Sequence, residues 1–304
     1  MTTRGASAEA IQHHYDVSND FYRMWLDPKT MSYTSGIFQL DDPNQSLSDA
    51  QRTKVDYHAQ TARAANQARV LDIGCGWGNM LFSLVRDHNV KHATGLTLSK
   101  AQRRHILDAG DPRIEVRLES YVDHAPESEY DAIVSVEAIE HFARFGLSWA
   151  EKVDIYRELF SKAHAWLKPG GWMSLQMTTY GNSCSASFDQ FVAEEIFREA
   201  DLPRLSEICA ACDGLFSVET VLNGREHYVR TLRHWLAGLR SRRADAIATA
   251  GMEVYRRYDT FLRLSTYMFE SGACDLQRIA LRRIDTPRVR TQTLSTTYNA
   301  GAIS

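Results

Sequence analysis

The sequence has little that would place the chain in a membrane or an export pathway. No run approaches the ~18 apolar residues that a membrane-spanning helix needs, and the first ten residues lack the apolar core of an export signal. We therefore expect a cytoplasmic protein, whose contact with a membrane would be peripheral. Five cysteines are few and odd in number for 304 residues, which indicates reduced thiols rather than a disulfide framework.

An excess of charge of one sign is also missing. The formal net charge is −3, so the chain has no overall attraction for nucleic acid or for an anionic lipid surface. Its 44% hydrophobic and 24% charged residues are typical of a globular protein. The length allows one large domain with an added segment. We expect no nucleic-acid partner, and nothing in the composition indicates an oligomeric state.

The most informative segment joins a predicted strand to a glycine-rich turn. It reads Val70-Leu71-Asp72-Ile73-Gly74-Cys75-Gly76-Trp77-Gly78. Glycines allow a sharp turn and a close approach to a ligand at the carboxyl end of a strand, where open α/β sheets bind nucleosides. The third glycine comes one position earlier than in the dinucleotide-binding fingerprint. This spacing is that of the turn that binds S-adenosylmethionine (SAM), and it predicts a methyltransferase; a tight loop without a ligand is the alternative.

Strand and helix patterns alternate from residue 66 to about residue 179. The alternation predicts an α/β fold, a doubly wound, Rossmann-like sheet of the class I SAM methyltransferase type. Residues 1–65 are predicted to form a helical segment that covers the cofactor, and residues 66–304 the methyltransferase domain. Within that domain we expect residues 180–227 to be an inserted helical lid and residues 288–304 a mobile tail. The predicted strands cover residues 68–73, 93–96, 114–118, 131–136 and 172–177, and the last predicted helices cover residues 228–280.

Four motifs carry a resemblance to a known family. They are Tyr33-Thr34-Ser35-Gly36-Ile37-Phe38, Leu71-Asp72-Ile73-Gly74-Cys75-Gly76-Trp77-Gly78, Gly95-Leu96-Thr97-Leu98-Ser99-Lys100-Ala101-Gln102 and Glu137-Ala138-Ile139-Glu140-His141-Phe142. Together they resemble the cyclopropane fatty acid synthase family, which includes the mycolic acid cyclopropane synthases, from about residue 12 to residue 283. The resemblance implies a SAM-dependent C-methyltransferase of lipid biosynthesis, which adds a methyl or methylene carbon to an alkene of an unsaturated acyl chain.

The resemblance also implies which residues contact SAM. Gly74 and Gly76 would lie beneath its methionine and ribose portions, and Thr97, Leu98 and Gln102 would line the ribose and adenine side. The remaining members of the predicted SAM site are Tyr33 and Thr34, which would close over the cofactor, Tyr121 and Val122 near the adenine, and Asp72 and Val136.

A base beside the transferred carbon is implied in the same way. Glu140 and His141 follow the fourth predicted strand, so they fall at the carboxyl edge of the sheet, where a carboxylate can orient a proton acceptor. In the resembled family this glutamate helps to hold a bicarbonate ion that removes a proton after methyl transfer, and Tyr228 contributes its hydroxyl. Ser35 and Gln176 stand where the family commonly has cysteine and histidine, so an anion could still bind but with altered proton affinity.

Other functions remain open at this level. A small-molecule C- or N-methyltransferase with the same fold is one, since an amine lone pair needs neither a carbocation nor bicarbonate. The plant coclaurine N-methyltransferases resemble the family too, and there a Glu-His pair serves the amine. A catalytically inactive SAM- or lipid-binding protein is another, against which the presence of Glu140 and Tyr228 argues. The acyl chain could be part of a lipid or attached to a carrier.

Two further patterns have simpler interpretations. Five arginines between residues 230 and 243 are typical of a solvated helix face, with an anionic lipid surface or a phosphate as the alternative. Cys209 and Cys212 form a lone Cys-x-x-Cys pair, whereas a structural zinc ion needs four ligands. We therefore predict no metal site. Aromatic residues from Tyr255 to Tyr267 recur at helical spacing and fit either a core or a channel for an acyl chain.

Overall fold

The computed structural model describes residues 19–183 and 200–286. Their strands are β1 (Arg69–Ile73), β2 (His92–Thr97), β3 (Ile114–Leu118), β4 (Tyr130–Val136), β5 (Leu167–Tyr180), β6 (Phe216–Asn223) and β7 (Cys274–Arg283). Their helices are α1 (Asn19–Arg23), α2 (Leu47–Thr61), α3 (Asn79–Arg86), α4 (Lys100–Asp108), α5 (Trp149–Trp166), α6 (Leu205–Cys212), α7 (Arg225–Ser241), α8 (Arg243–Ala250) and α9 (Met252–Glu270), with a short 3-10 helix at Ile139–His141.

The strands form one seven-stranded sheet in the order β3-β2-β1-β4-β5-β7-β6. Strands β1 to β5 pair in parallel, and helices connect β1 to β2, β2 to β3 and β4 to β5. From β1 the chain continues to β2 and β3 on one side of the sheet, and β4 and β5 lie on the other side. The strand order therefore reverses between β1 and β4, and ligands bind at the carboxyl ends of the strands at such a point. The predicted α/β fold is confirmed, and each of the five predicted strands is present; the first four differ by at most one residue at either end, whereas β5 begins five residues earlier and ends three residues later than predicted.

The carboxyl-terminal part of the sheet was not predicted. Strand β7 runs antiparallel between β5 and β6, in a region that the sequence pattern assigned partly to helices. Strand β6 has a single buried residue, Phe216, so it shows no apolar alternation. Strand β7 is buried but carries Arg278 in its middle, which interrupts the apolar run that would identify a central strand.

The second half of the segment expected to form a helical lid, residues 180–227, contains a strand as well as helices. Residues 205–223 form α6 and β6, and both belong to the main α/β body: Arg157 of α5 donates to the carbonyl oxygen of Ala211. Residues 184–199, which belong to the expected lid, lie outside the described residues, as do residues 1–18 and the tail from residue 287. Between α1 and α2 the amino-terminal segment is mostly non-helical.

An aromatic cluster attaches the amino-terminal segment to the helices α7 and α9. Its centre is Tyr22, whose hydroxyl lies 2.7 Å from the hydroxyl of Tyr258. The ring of Trp25 packs edge-on against Trp235, with centroids 5.8 Å apart. Because these side chains are almost fully buried, Tyr258 is a core residue, as one of the two interpretations of the aromatic spacing on α9 predicted, whereas Tyr267 of the same helix is 67% exposed. Pairs of this geometry add about 0.5–1.5 kcal/mol each beyond the burial of their area.

The arginines of α7 and the start of α8 find partners within the protein. Arg233 pairs with Glu270, Arg240 with Asp259 and Arg242 with Asp245, whereas Arg230 and Arg243 lie over the rings of Phe38 and Tyr255. This arrangement favours a solvated helix face over a phosphate-binding one. Exposed pairs of this kind contribute little, about 0–1 kcal/mol each.

No helix within residues 19–183 and 200–286 has the length and apolar character to cross a membrane.

Candidate active site

The glycine turn lies where β1 ends and faces the segment that follows β4. Gly74 and Gly76 have positive φ angles of 81° and 53°, a conformation that glycine adopts without steric cost. A Cβ atom on Gly74 would lie only 2.4 Å from the Cβ of Ala138. The turn therefore brings two backbone segments together more closely than any side chain at position 74 would allow.

Two clefts open beside this turn, with volumes of about 600 and 580 Å³ out to their mouths. Both are lined by Gly74, Gly76, Gln102 and Glu137, so they meet at these residues. The remaining predicted SAM residues divide between them: Thr97, Leu98 and Tyr121 line the first cleft, and Tyr33, Thr34, Asp72 and Val136 line the second.

One residue of the predicted SAM site lies outside both clefts. Val122 lines neither cleft, and its side chain is 46% exposed. Its neighbour Tyr121 is buried and packs against Phe142, with ring centroids 4.4 Å apart. The chain turns between the two residues, so that only the first faces the cleft. Sequence position alone could not indicate which of the two side chains points inward.

A buried hydroxyl–amide pair lies at the end of β2, where many nucleoside sites have a carboxylate. The Thr97 hydroxyl donates to Oε1 of Gln102 at 2.7 Å. Ser99 caps α4 by accepting from the backbone N–H of Gln102 at 3.2 Å, which holds this residue at the cleft wall. Because Oε1 is already engaged, the NH₂ group of Gln102 is left to donate into the cleft.

A buried lysine and carboxyl group line the second cleft. Lys54 of α2 donates to the Thr34 hydroxyl at 2.9 Å. Asp72, the last residue but one of β1, lines the same cleft. Burial lowers the pKa of Lys54 to about 8 and raises the pKa of Asp72 to about 7. A cation and an anion at one end of a cleft are complementary to a zwitterion such as an amino acid group. The sequence analysis missed Lys54, which lies on a helix without a recognisable motif.

Glu137 occupies the centre of the predicted catalytic cradle. Its Oε1 accepts from the backbone N–H of Ser35 at 2.9 Å and from the side-chain amide of Gln176 at 2.6 Å. Its Oε2 accepts from the hydroxyl of Tyr228 at 2.7 Å. The three groups that the resemblance assigned to an anion site are therefore brought together, but around a carboxyl group of the chain itself. The sequence analysis included Glu137 in a motif without giving it a role.

A strained backbone conformation at Glu137 directs its carboxyl group toward these three donors. Its φ angle is 54°, in the left-handed region that favours glycine, and a non-glycine residue held there costs about 1–3 kcal/mol. Its backbone N–H donates to the carbonyl oxygen of Gln176 at 2.7 Å. Burial raises the pKa of Glu137, an effect that the donors of Ser35, Tyr228 and Gln176 and the charge of Lys54 oppose.

Glu140 lies deeper and has different partners from those expected. Its Oε1 accepts from the backbone N–H of Thr178 at 2.6 Å, and within the described parts of the chain its buried Oε2 has no hydrogen-bond partner. Burial and the charge of Glu137 raise the pKa of Glu140 to about 8, so it holds a proton at neutral pH. The contacts with Ser35, Gln176 and Tyr228 that the sequence analysis assigned to the surroundings of Glu140 belong to Glu137.

His141 is placed as predicted, at the edge of the first cleft. Burial lowers the pKa of His141 to about 4, so the imidazole is neutral at pH 7. Of the two carboxyl groups nearby, it is Glu137 that has three hydrogen-bond donors, which favour its ionised form.

Arg278 of β7 fixes the orientation of the Gln176 amide. Its Nε donates to Oε1 of Gln176 at 2.7 Å, and His58 lies 3.2 Å from the same oxygen. Because burial lowers the pKa of His58 to about 3, this ring is neutral. With Oε1 held from that side, the NH₂ group of Gln176 must face Glu137. Arg278 also donates to the carbonyl oxygen of Gly36 at 3.1 Å, which ties the amino-terminal segment to the same site.

We expect Arg278→Met to lower the free energy of unfolding by about 1–3 kcal/mol, because buried acceptors on Gln176 and Gly36 lose their donor. The freed amide should also reduce kcat about 10-fold, with little change in SAM affinity. Urea unfolding and steady-state kinetics would measure both effects. Arg282→Met, an exposed arginine on the same strand, is the matched control, and equal effects of the two substitutions would contradict the assignment.

Comparison with known proteins identifies a matching family model and similar sequences. The family model described as "Mycolic acid cyclopropane synthetase" matches residues 2–279. Cyclopropane mycolic acid synthase 1 of Mycobacterium tuberculosis is 33% identical over 290 residues, covering 90% of this chain and 96% of that protein. A probable fatty acid methyltransferase of Pseudomonas putida is 31% identical over 283 residues, covering 90% of this chain and 68% of that protein.

Solved structures of similar fold include one at 30% and one at 18% sequence identity. Mycolic acid cyclopropane synthase CmaA1, complexed with S-adenosylhomocysteine (SAH) and CTAB, has a TM-score of 0.81 at 30% identity, covering 92% of this chain and 99% of that one. Coclaurine N-methyltransferase, bound to N-methylheliamine and SAH, has a TM-score of 0.77 at 18% identity, covering 93% and 84%. The second likeness concerns the fold alone.

Proposed function

Since the chain belongs to the mycolic acid cyclopropane synthetase family, we propose that this SAM-dependent methyltransferase transfers a one-carbon unit to an alkene of an unsaturated acyl chain. The relatives named above support the reaction type. The observation that carries the proposal is the meeting of two clefts at a carboxyl group: the predicted SAM residues line both clefts, and Glu137 stands where they join.

We propose that SAM spans the two clefts. Gly74 and Gly76 would pass beneath it, Gln102 would donate to the ribose, and Lys54 and Asp72 would pair with the carboxylate and the ammonium of its methionine part. When bound, SAM supplies an electrophilic methyl carbon. The fit of a zwitterion between Lys54 and Asp72, and of a nucleoside along Gln102 and Tyr121, supports this orientation.

An alkene is a weak nucleophile, so the protein must align it and exclude water. Its attack on carbon leaves a carbocation on the acyl chain. Tyr33, which lines the second cleft, lies 5.3 Å from the ring of Trp235, and Tyr228 lies 4.5 Å from the ring of Phe269, measured between centroids. Such ring faces attract a cation and keep water away. Loss of a proton from the added carbon closes a cyclopropane ring or, after a hydride shift to the cation, leaves a methylene group, whereas loss of a proton from the acyl chain leaves a methylated alkene.

We further propose that the acyl chain is delivered either by a phospholipid at a membrane surface or by a carrier protein. The test is product analysis with methyl-deuterated SAM, in which the purified protein is offered unsaturated phospholipid vesicles, acyl carriers and a panel of amines. An acyl product that retains two of the three deuteriums is the expected result, because ring closure removes one. The productive acyl form identifies the mode of delivery.

Two outcomes would contradict the proposal. An amine product that retains all three deuteriums, with no acyl product, would assign the chain to small-molecule N-methylation. SAM binding without turnover on any substrate class would favour a catalytically inactive binding protein.

A further inference from the structure

We infer that the carboxylate of Glu137 is itself the proton acceptor of the reaction and takes the place of a bound bicarbonate ion. The identity of the proton rests on the proposed function. The occupation of the anion site by Glu137 does not rest on it, and can be tested without turnover.

The first argument is that the donors of the site are already used. Ser35, Gln176 and Tyr228 each donate to Glu137, over distances of 2.6–2.9 Å. A bicarbonate ion on these donors would have to displace a carboxylate tethered to the same chain. Because the tethered group is present at a far higher effective concentration than any dissolved anion, the displacement is unfavourable. The residues present therefore do not fit a separate bicarbonate ion.

Charge leads to the same conclusion. A bicarbonate ion would enter beside Glu137 and Glu140, two carboxyl groups whose mutual influence already raises the pKa of Glu140. A further anion at such a site is disfavoured by like charge. The positive groups nearby are also engaged, since Lys54 donates to Thr34 and Arg278 donates to Gln176 and Gly36. These two cations face two carboxyl groups of the chain, Glu137 and Asp72.

The carboxylate retains the capacity that a base needs. An ionised carboxylate has about four lone-pair positions, and among the described residues three of these accept a hydrogen bond. The one that remains is on Oε2, which accepts from Tyr228 with its other lone pair. Glu137 also lines both clefts. The unused lone pair therefore belongs to a carboxylate that borders both of the clefts in which we propose that SAM binds.

The proton step is balanced without a further reactant. A C–H bond of the added carbon breaks, and its electron pair forms the last bond of the ring at the carbocation. The proton forms an O–H bond with Oε2 of Glu137. After the product leaves, Glu137 returns this proton to water, and no oxidant, reductant or dissolved anion takes part.

Two substitutions separate the carboxylate from the space that it fills. Glu137→Gly empties the site and suits the positive φ angle of this residue, so the donors become available to a dissolved anion. Glu137→Gln removes the charge but leaves the space filled. It serves as the matched control, and it keeps the test valid if the glycine variant folds poorly.

The first measurement is thermal unfolding during titration with sodium bicarbonate, against sodium chloride at equal ionic strength. We expect a saturable rise in Tm of a few degrees for Glu137→Gly and no bicarbonate-specific change for the unsubstituted protein or for Glu137→Gln. A saturable, bicarbonate-specific rise in the unsubstituted protein would overturn the inference.

The second measurement is turnover in buffer freed of carbon dioxide, with the substrate identified by product analysis. The unsubstituted protein should keep its rate within about 2-fold when bicarbonate is removed. Glu137→Gly should lose at least ~100-fold and recover at least ~10-fold with bicarbonate or formate, whereas Glu137→Gln should lose activity without recovery. A bicarbonate requirement in the unsubstituted protein, or full activity of Glu137→Gly without added anion, would overturn the inference.

The two hypotheses fail in different ways. Absence of an acyl product from the unsubstituted protein would contradict the proposed function, and the thermal titration would still decide what occupies the anion site. An acyl product whose formation requires bicarbonate would contradict only the role of Glu137.

Discussion

Replacing Gly74 with alanine is expected to weaken SAM binding at least ~100-fold and to lower the free energy of unfolding by about 2–5 kcal/mol. An L-residue in the left-handed region costs about 1–2 kcal/mol, and Gly74 has a φ angle of 81°. Its new Cβ would also lie 2.4 Å from the Cβ of Ala138. Neither atom can rotate away, since both are attached directly to the backbone, and relief of such overlap costs about 1–3 kcal/mol more.

The loss of SAM affinity follows from where the backbone must move. Gly74 lines both clefts, and Ala138 lines one of them and follows Glu137 in the chain. Separating the two segments therefore changes the shape of the site itself. Calorimetric titration with SAM and urea unfolding would measure the two effects.

Gly110→Ala is the control for backbone strain. This residue has a φ angle of 66°, but nothing lies within 4 Å of the position that a Cβ atom would take there, and it lines neither cleft. It should lose about 1–2 kcal/mol of stability and keep the SAM affinity of the unsubstituted protein. Equal SAM affinities for the two variants would show that the turn does not depend on this close approach.

Lys152→Met is expected to lower the free energy of unfolding by about 3–5 kcal/mol. Lys152 of α5 is almost fully buried, with its Nζ 3.0 Å from Asp201, 3.2 Å from Glu207 and 2.6 Å from the carbonyl oxygen of Leu202. Methionine conserves most of the volume, so the loss comes mainly from two buried carboxylates without a cation. Chemical denaturation followed by circular dichroism would measure it.

Lys162→Met tests the same change on the same helix. Lys162 donates to the carbonyl oxygen of Val122 near the surface, so we expect a loss below about 1 kcal/mol. Asp201→Asn combined with Lys152→Met should recover part of the stability, because one uncompensated charge is removed. If Lys152→Met were no more damaging than Lys162→Met, the buried cluster would not be what attaches residues 201–207 to α5.

The parallel half of the fold could be predicted from the sequence because its signals are local. Strands β1 and β4 contain short apolar runs, β3 alternates apolar and charged residues, and the turn after β1 has a glycine spacing that few other structures need. The same locality gathers most of the predicted SAM residues, since they follow the ends of neighbouring strands. Their roles in binding SAM stay predictions.

The sequence indicated that Ser35, Gln176 and Tyr228 lie together, but not that Glu137 is the group they surround. Glu137 and Glu140 are three residues apart in one motif, and the resemblance gave the anion-holding role to Glu140. What decides between them is the positive φ angle of Glu137, which no pattern of side chains encodes. Arg278 was missed for another reason. It lies on β7, where its own charge interrupts the apolar run that would have identified the strand. Its contact with Gln176 also spans 102 positions in the chain.

The place of β7 in the sheet has a consequence for synthesis on the ribosome. Strand β7 lies between β5 and β6 although it comes last among the described strands. Until residues 274–283 have emerged, the outer edge of β5 has no strand to pair with, and an unpaired edge invites association with other chains. The same residues bring Arg278 to Gln176. Emergence of this one strand from the ribosome thus covers the open edge of β5 and supplies the side chain that orients Gln176.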